Sequence, residues 1–554
     1  MSASRYALKI DGRHIRQQKR YNNLGEIEFP LYFRRIRDTI KSLSPRYESS
    51  FFLPLTPFTI MCESCNGGGF DRRDFLKIGG AAAALGTVWA TSALAQNGDG
   101  PTGLPAIEKK KTKMTVLFMY PPADVVNEGR LEDSWAANKW FTYPGNQFEP
   151  EMNQEKYTKV ITGIAEKYGI DLDFQGVIYT KAALAEFVAK MKETPPDSLL
   201  VVNFWNTMSD WVADMAKQLE SQPMIVYHPV GSNHQHPPQG LMTAPNIQYI
   251  HSLENWEALE NAMAAAGTKK YIAQSRLLRV GNYEKLLQTV DKNLGVEIVS
   301  VPAVEYNNLF DSVQADDALT SEAMAFKAKA AAVIEVEDRY IIDGFRAKKA
   351  VQDIMKRYGA DGITIKCLML AERKPCIGFS LNNGALVPCA CEDYWDSAIT
   401  LMIGAHLLQR GGFQHNPEFD VDRNQYYGSH CQCTLKLHGP DKPETSFRIR
   451  PFAHQLPKTA ALDVRMTPGE RVFITKYVPG KKQIHLYAGT MVGSPEFNTA
   501  GGCTTRFVMD VDKVEEVCSI YHGPHPIMYC GSVMEAKRIK AFAKLAGLEF
   551  VGNV

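Results

Sequence analysis

Three residues from well-separated parts of the chain carry the side chains best suited to chemistry. Glu392 follows the extended run 389–391 and precedes a segment with helical periodicity, so it lies where a strand passes into a helix. In α/β proteins ligands collect at that edge of the sheet. His430 follows Gly428 and Ser429, and His525 lies in a loop before the last predicted helix. A glutamate and histidines from separate loops are a frequent ligand set for a divalent metal ion.

Each of these residues also has an ordinary structural interpretation. A carboxylate at the start of a helix is stabilised by the positive end of the helix macrodipole, which explains Glu392 without a metal. A single histidine is more often a surface or core residue than a ligand. The spacing of the residues therefore leaves metal binding and a purely structural role both open.

Several short motifs around these residues resemble the L-fucose isomerase and L-arabinose isomerase superfamily. The main one is residues 378–392, with the sequence Gly-Phe-Ser-Leu-Asn-Asn-Gly-Ala-Leu-Val-Pro-Cys-Ala-Cys-Glu. Shorter motifs follow the order of that family at 365–367, 428–430, 468–475, 501–504, 523–525, 529–531 and 543–549. The resemblance covers nearly all of the chain that follows the N-terminal signal considered below.

Members of that superfamily interconvert an aldose and a ketose at a divalent metal, usually Mn²⁺, through an enediol. By this resemblance Glu392 is expected to be a metal ligand and the base, and His525 a ligand. His430 is expected to be a ligand or a substrate contact. The resemblance also implies a homo-oligomer with sites at subunit boundaries, acting on a small sugar or polyol.

Two positions depart from the family's pattern. The second essential carboxylate of the family falls at Asn416, whose amide carbonyl can coordinate a metal but cannot act as a base. Glu418 and Asp420 lie nearby, so we predict catalytic roles for both beside Glu392. The acid that many relatives carry two residues after the glutamate is Tyr394 here. The predicted metal ligands are Glu392, Asn416, His430 and His525.

Aromatic side chains near strand ends are candidates for stacking on a sugar. We predict that Tyr394, Trp395 and Trp135 contact the substrate. Core packing explains Trp135 equally well, since it belongs to an aromatic-rich segment after the first predicted strand. His234 and His236 close another strand and are weaker candidates for a site across a subunit boundary.

An export signal occupies residues 61–95. Arg72 and Arg73 precede an uncharged run rich in glycine and alanine, and Ala93-Leu94-Ala95 supplies the small-x-small pattern read by a signal peptidase. This order of features predicts a twin-arginine signal, whose translocase carries folded proteins, and a periplasmic or otherwise exported product. We interpret Met61 as the true start and residues 1–60 as a start-site artefact or disordered leader.

The composition excludes several classes of partner. The net charge is +1 at pH 7, which favours neither nucleic acid nor an anionic membrane as a partner. Beyond the signal we find no apolar stretch long enough to span a bilayer and no lipidation cysteine at the cleavage point, so we expect no stable membrane anchor. Eleven cysteines are present, and their spacing predicts mostly small buried apolar side chains, with a disulfide left open.

Alternating strand and helix patterns predict two Rossmann-like parallel α/β domains. After Cys431 short alternating runs separated by Gly or Pro predict a C-terminal antiparallel β-barrel with a closing helix. The predicted boundaries are a linker at 96–113, α/β domains at 114–267 and 268–430, and the barrel domain at 431–554. Within the second domain we predict a strand at 271–273, a helix at 283–294 and a turn at 383–384.

Two functions from different classes fit these features. The first is an exported, metal-dependent sugar isomerase that interconverts aldoses and ketoses, with an altered site. The second is a non-catalytic carbohydrate-binding protein that keeps the isomerase fold but lacks the second carboxylate. A purely structural exported α/β protein is a weaker third interpretation, because a fold does not settle a function.

Overall fold

The computed structural model describes residues 103–130, 149–205, 208–229, 239–452, 459–496, 503–520 and 524–554. The predicted leader and signal, Trp135, His234 and His236 lie outside these residues. Among the described helices, none is long and apolar enough to cross a membrane.

The first part of the described chain forms a five-stranded parallel sheet. Its strands are β1 (Thr112–Met119), β2 (Ile170–Ile178), β3 (Ser198–Asn203), β4 (Met224–Pro229) and β5 (Ile247–Ser252). They lie in the order β2-β1-β3-β4-β5, and every pairing is parallel. Both β3 and β4 are buried along their whole length, which explains why their sequences are continuous runs without alternation.

Helices connect these strands and cover the sheet. They are α1 (Ala123–Asn127), α2 (Pro150–Tyr168), α3 (Lys181–Glu193), α4 (Ser209–Gln218), α5 (Gln239–Thr243) and α6 (Trp256–Ala273). Local sequence fixes their ends. Gly169 adopts φ +62° after α2, a conformation that glycine reaches without steric cost. The Thr180 side chain accepts a hydrogen bond from the Ala183 amide at the start of α3.

A second sheet follows, with the order β11-β10-β6-β8-β7. Its strands are β6 (Arg276–Gly281), β7 (Leu287–Val290), β8 (Glu297–Pro302), β10 (Gly362–Ile365) and β11 (Cys389–Cys391), while β9 (Ala332–Val333) joins a smaller sheet. Only the β7–β8 pairing is antiparallel among its pairings. Its helices are α7 (Ala303–Ser312), α8 (Asp317–Lys329), α9 (Asp338–Arg357), α10 (Cys376–Gly384) and α11 (Trp395–Leu408).

The C-terminal part is dominated by an antiparallel sheet. Its strands are β12 (Phe413–Gln414), β13 (Asn416–Asp420), β14 (Gln425–His430), β17 (Arg471–Val478), β18 (Gln483–Gly493), β19 (Thr505–Asp510), β20 (Ile527–Cys530) and β21 (Glu549–Gly552). A small sheet joins β15 (Phe447–Pro451) and β16 (Ala460–Val464) to β9. The helices here are α12 (Val514–Ile520) and α13 (Val533–Leu545), the latter starting at a capping box formed by Ser532 and Glu535.

The α/β class and the antiparallel C-terminal sheet agree with the sequence prediction. The described pairings of the large sheet follow an open path from β12 to β13, with β21 added beside β18, so they do not confirm a closed barrel. This sheet begins at Phe413, because β12 pairs with β20, and β14 pairs with both β13 and β19. The sheet therefore includes strands that precede the predicted boundary at residue 430.

Three local predictions were wrong. Residues 271–273 end helix α6, because a three-residue apolar run does not distinguish a strand from a buried helix end. Within 283–294 the chain forms β7, whose side chains are all exposed, instead of a helix. Residues 383–384 belong to α10, where the Asn383 side chain hydrogen-bonds the Cys389 backbone and Gln432. Those tertiary hydrogen bonds outweigh the turn preference of Asn-Gly.

Candidate metal centre

Glu392 lies at the carboxyl end of β11, at the edge of the second sheet. Glu392 and Asp393 both adopt left-handed backbone conformations, with φ of +63° and +64°. Such conformations cost about 1 kcal/mol or more each for residues other than glycine. Asp393 stabilises the turn, because its carboxylate accepts two hydrogen bonds from Arg279 at 2.9 Å and one from Tyr283 at 2.7 Å.

His430 is the last residue of β14 and is almost fully buried. Its Nε2 atom lies 3.6 Å from Glu392 Oε1. On the other side of the ring, Nδ1 lies 3.6 Å from Cys431 Sγ. The pairing of β14 with β19 positions this ring beside the strand end that carries Glu392.

His525 reaches the same point from the segment before β20. Its backbone is also left-handed, with φ +70°. Its carbonyl accepts a 2.6 Å hydrogen bond from Ser397 Oγ at the start of α11, which ties this segment to the one after Glu392. His525 Nε2 lies 3.6 Å from Glu392 Oε2, so the two carboxylate oxygens face two different imidazoles.

These three side chains form a compact set of metal-binding atoms. One ligand atom from each of Glu392, His430 and His525 lies within 4.8 Å of the others. The two imidazole rings are 5.0 Å apart and nearly perpendicular. His430 Nε2 and both ring nitrogens of His525 are buried without a hydrogen-bond partner among the described residues. Because an unpaired buried polar atom is costly, these orphaned nitrogens fit a bound cation.

The two histidines differ in their electrostatic surroundings. Burial, together with His430, Lys476 and His415, lowers the pKa of His525 to about 2, so this ring is neutral near neutral pH. Burial acts to lower the pKa of His430 too, but contacts with Cys391 and Glu392 outweigh it and raise that pKa well above its usual value. A proton and a metal ion would therefore compete more strongly at His430 than at His525.

Lys476 is a charged neighbour that the sequence analysis did not identify. It is buried in β17, donates to the Pro524 carbonyl and pairs with Asp396 at 3.2 Å. Burial lowers the pKa of Lys476 despite that pair. The available signal was a lysine inside Arg471–Val478, a strand that is otherwise almost continuously buried.

Two of the predicted catalytic acids lie outside this set. Glu418 is exposed on β13, and Asp420 bonds Arg423 at the end of the β13–β14 hairpin. Asn416 pairs with Ser429, the residue before His430. Because alternate residues of a strand face opposite sides, this register places the Asn416 and His430 side chains on opposite faces of the sheet. It does not support the predicted role of Asn416 as a ligand.

The predicted substrate residues fall in two places. The Tyr394 ring lies edge-on to His525 with 4.2 Å between ring centroids, and its pKa is raised by burial, with further contributions from Glu392 and Asp396. Trp395 lines an open cleft of about 440 Å³ together with Arg279 and Asn293. Because Arg279 also donates hydrogen bonds to Asp393, the residue after Glu392, this cleft is adjacent to the Glu392 turn. Trp135 lies outside the described residues.

Comparisons with known proteins identify the N-terminal segment. Residues 69–89 match the family "TAT (twin-arginine translocation) pathway signal sequence". This match, which includes Arg72 and Arg73, confirms the predicted signal and shows that the protein is exported. No curated protein matches the chain.

One solved structure similar to part of the chain is an ABC transporter solute-binding protein from Agrobacterium vitis, bound with α-D-tagatopyranose. The match has 12% identity and a TM-score of 0.15, and covers 54% of this chain and 90% of that chain. A likeness this weak carries no argument about fold or ligand.

Proposed function

We propose that this exported protein is a metal-dependent sugar isomerase that interconverts an aldose and a ketose. The observation that carries the proposal is the set formed by Glu392, His430 and His525, whose ligand atoms lie within 4.8 Å of one another. Three segments far apart in the chain deliver these side chains, and the burial of unpaired ring nitrogens is explained by a cation. By the isomerase resemblance Glu392 and His525 are metal ligands, and His430 is a ligand or a substrate contact.

The donor set fits a divalent ion that accepts both oxygen and nitrogen ligands, and Mn²⁺ is the ion we propose. Two imidazole nitrogens and one carboxylate would hold it. When bound, such an ion polarises a carbonyl oxygen and orients neighbouring oxygens of the substrate.

Side chains of the protein would carry out proton transfer and charge stabilisation. Glu392 is 26% exposed, whereas His430 and His525 are each 1% exposed, so the carboxylate forms the open side of the set. We propose that Glu392 removes a proton from the carbon next to the carbonyl and returns it to the neighbouring carbon, while the hydroxyl proton passes between the two substrate oxygens. The Lys476 ammonium lies behind Tyr394, 5.9 Å from its ring centroid, and favours negative charge developing on a substrate oxygen.

The fold expected from the resemblance is part of this proposal. We propose two Rossmann-like domains, supported by the first five-stranded sheet, which is all parallel, and by the second, in which only the β7–β8 pairing is antiparallel. A C-terminal barrel that includes the strands from Phe413 onward and a homo-oligomer complete the assembly. Light scattering of the purified protein tests the oligomer, and a monomer at working concentration contradicts it.

The test combines metal analysis with a sugar panel. The full exported chain is purified, its bound Mn²⁺ and Zn²⁺ are measured, and conversion of aldoses and ketoses is followed by product analysis. We expect Glu392→Gln to abolish conversion and to weaken metal binding. The matched control is Glu418→Gln, the same change on β13 outside the set, which should leave both intact. No bound metal and unchanged conversion in Glu392→Gln would contradict the proposal.

A second function is favoured by one specific observation. Glu418 and Asp420, the acids nearest in sequence to the expected second carboxylate, lie outside the set around Glu392. A protein with that site could bind a carbohydrate without converting it. Calorimetry distinguishes the two functions: sugar binding that survives chelation of the metal, with no product formed, supports the binding protein.

A further inference from the structure

A second group of ligand atoms lies on the other side of the His430 ring. Cys391, His430 and Cys431 each offer one ligand atom, and these atoms lie within 4.8 Å of one another. All three side chains are buried, with at most 2% exposure. The ring nitrogen that faces Cys431 is Nδ1, whereas Nε2 faces Glu392. The cysteine group and the Glu392 set therefore face different nitrogens of the His430 imidazole.

Further thiols surround this group. The Cys376 and Cys431 sulfurs are 3.6 Å apart. Cys431 also interacts with Cys503, and Cys391 interacts with Cys367. These cysteines come from the ends of β10, β11 and β14 and from the starts of α10 and β19. Five separate segments thus place a thiol near one imidazole, and none of the nine described cysteines forms a disulfide.

The spacing distinguishes these thiols from a disulfide. A disulfide brings two sulfurs to about 2.0 Å, well below the 3.6 Å between Cys376 and Cys431. Apolar surroundings do not mark the site, because Cys391 and Cys431 lie in an apolar core as Cys433 does. What sets Cys391 and Cys431 apart is the buried His430 ring, which offers a nitrogen within 4.8 Å of both sulfurs.

We propose that Cys391, Cys431 and His430 Nδ1 bind a soft cation, Zn²⁺ or Cu⁺. Thiolate and imidazole donors select these ions over Mn²⁺. This site shares His430 with the Glu392 set but uses the other ring nitrogen, and it does not depend on isomerase activity. Insertion before export suits a fully buried site, because the twin-arginine route carries the protein already folded.

Binding is balanced by the release of protons. Each of the two thiols loses its proton to solvent when its sulfur ligates the ion. With an ion on Nδ1, the remaining ring proton of His430 lies on Nε2. An ion held by Glu392 would compete with that proton, so occupancy of one site would alter the affinity of the other.

X-ray absorption of the purified wild-type protein tests the proposal without any variant. Zinc- or copper-edge data should show a sulfur shell at about 2.3 Å around the bound ion. The choice of edge distinguishes Zn²⁺ from Cu⁺. A shell made only of nitrogen and oxygen, or the absence of both ions, overturns the site.

Cobalt substitution then assigns the ligands. The metal-stripped full chain is titrated with Co²⁺, and thiolate-to-cobalt charge-transfer absorption in the near ultraviolet is measured. We expect this absorption in wild type, in Glu392→Gln and in the matched control Cys433→Ala, and its loss in Cys391→Ala. Its persistence in Cys391→Ala contradicts the ligand assignment. Retention in Glu392→Gln while sugar conversion is absent separates this site from the proposed enzyme.

Discussion

Buried histidines lie at the carboxyl edges of both five-stranded sheets, His228 within β4 and His525 beside the Glu392 turn, but their surroundings differ. At the first sheet, His228 Nδ1 contacts the Asn203 amide at 3.3 Å, and Asn203 also bonds Ser209 and the Trp205 amide. At the second sheet, both ring nitrogens of His525 lack a partner in the described part of the chain. A buried histidine at a sheet edge is therefore not in itself a site; the unpaired nitrogens and the left-handed backbone distinguish one.

Replacing His525 or His228 with glutamine should give the largest difference between the two sheet edges, in metal binding and in stability. We expect His525→Gln to weaken metal binding by at least about 100-fold with little loss of stability, because it removes a ligand but no hydrogen bond. His228→Gln should leave metal binding unchanged and lower the free energy of unfolding by about 1–3 kcal/mol, because Asn203 loses a buried partner. Metal titration and chemical denaturation of both variants measure the two effects. An equal loss of metal affinity in the two variants would contradict the distinction between His525 and His228.

Lowering the pH should reduce the free energy of unfolding through His228, at the edge of the first sheet. Burial, with a contribution from His251, lowers the pKa of His228 from 6.5 to about 3 in the folded protein. Between these values the unfolded chain binds a proton that the folded chain does not, so stability is full above the unfolded pKa and falls as the pH drops. At about pH 5 the loss from His228 is on the order of 2 kcal/mol. His228→Gln should flatten this slope, and an unchanged slope would contradict the assignment.

A smaller effect on metal affinity is expected from Asp393, whose carboxylate stabilises the turn at Glu392. Asp393→Asn keeps the shape of the side chain but removes the charge that Arg279 and Tyr283 bind. Positioning groups around a metal typically affect its affinity by about 10–100-fold, and we expect about 10-fold here. Isothermal titration with Mn²⁺ measures the change. Asp420→Asn, an acid on β13 that pairs with Arg423, is the control and should have no effect.

The smallest expected effect concerns backbone strain. Glu392→Gly and Glu392→Ala both lose the contacts with His430 and His525 and should both abolish metal binding. Because only glycine relieves the left-handed conformation, Glu392→Gly should exceed Glu392→Ala in free energy of unfolding by about 1 kcal/mol. In the extended β13, Glu418→Gly should instead be less stable than Glu418→Ala by about 0.5–1 kcal/mol. Urea denaturation of the metal-free variants measures both differences, and a Glu392→Gly variant no more stable than Glu392→Ala would mean that the turn is not strained.

The sequence predicted most of the scaffold because long periodic segments carry strong signals. The continuous apolar run of β3 and the amphipathic pattern of α9 both formed as expected. Residues 271–273 and 283–294 were wrong, since short apolar stretches do not distinguish a helix from a strand. Glu392, His430 and His525 were placed together correctly, but strand register decides which face Asn416 occupies, and register is not visible in one strand's sequence.

Lys476 and the thiols behind His430 were missed for a related reason. Their significance depends on which segments meet in three dimensions, because a buried cysteine is common and a lysine inside an apolar strand does not reveal its partner. The Cys391 and Cys431 positions were interpreted as small buried side chains, and both are buried. What the sequence does not show is that they share one imidazole.

The hydrogen bond between Ser397 and the His525 carbonyl affects when, during folding, the site around Glu392 can form. It joins residues 128 positions apart, and His525 lies close to the C-terminal end of the chain. Contacts of high sequence separation form late, since the intervening loop must close first. During synthesis the Glu392 turn would therefore stay without this support until His525 has emerged and folded back. A cation held by Glu392 and His525 would then be bound only after these distant segments had met, which fits an export route for folded proteins.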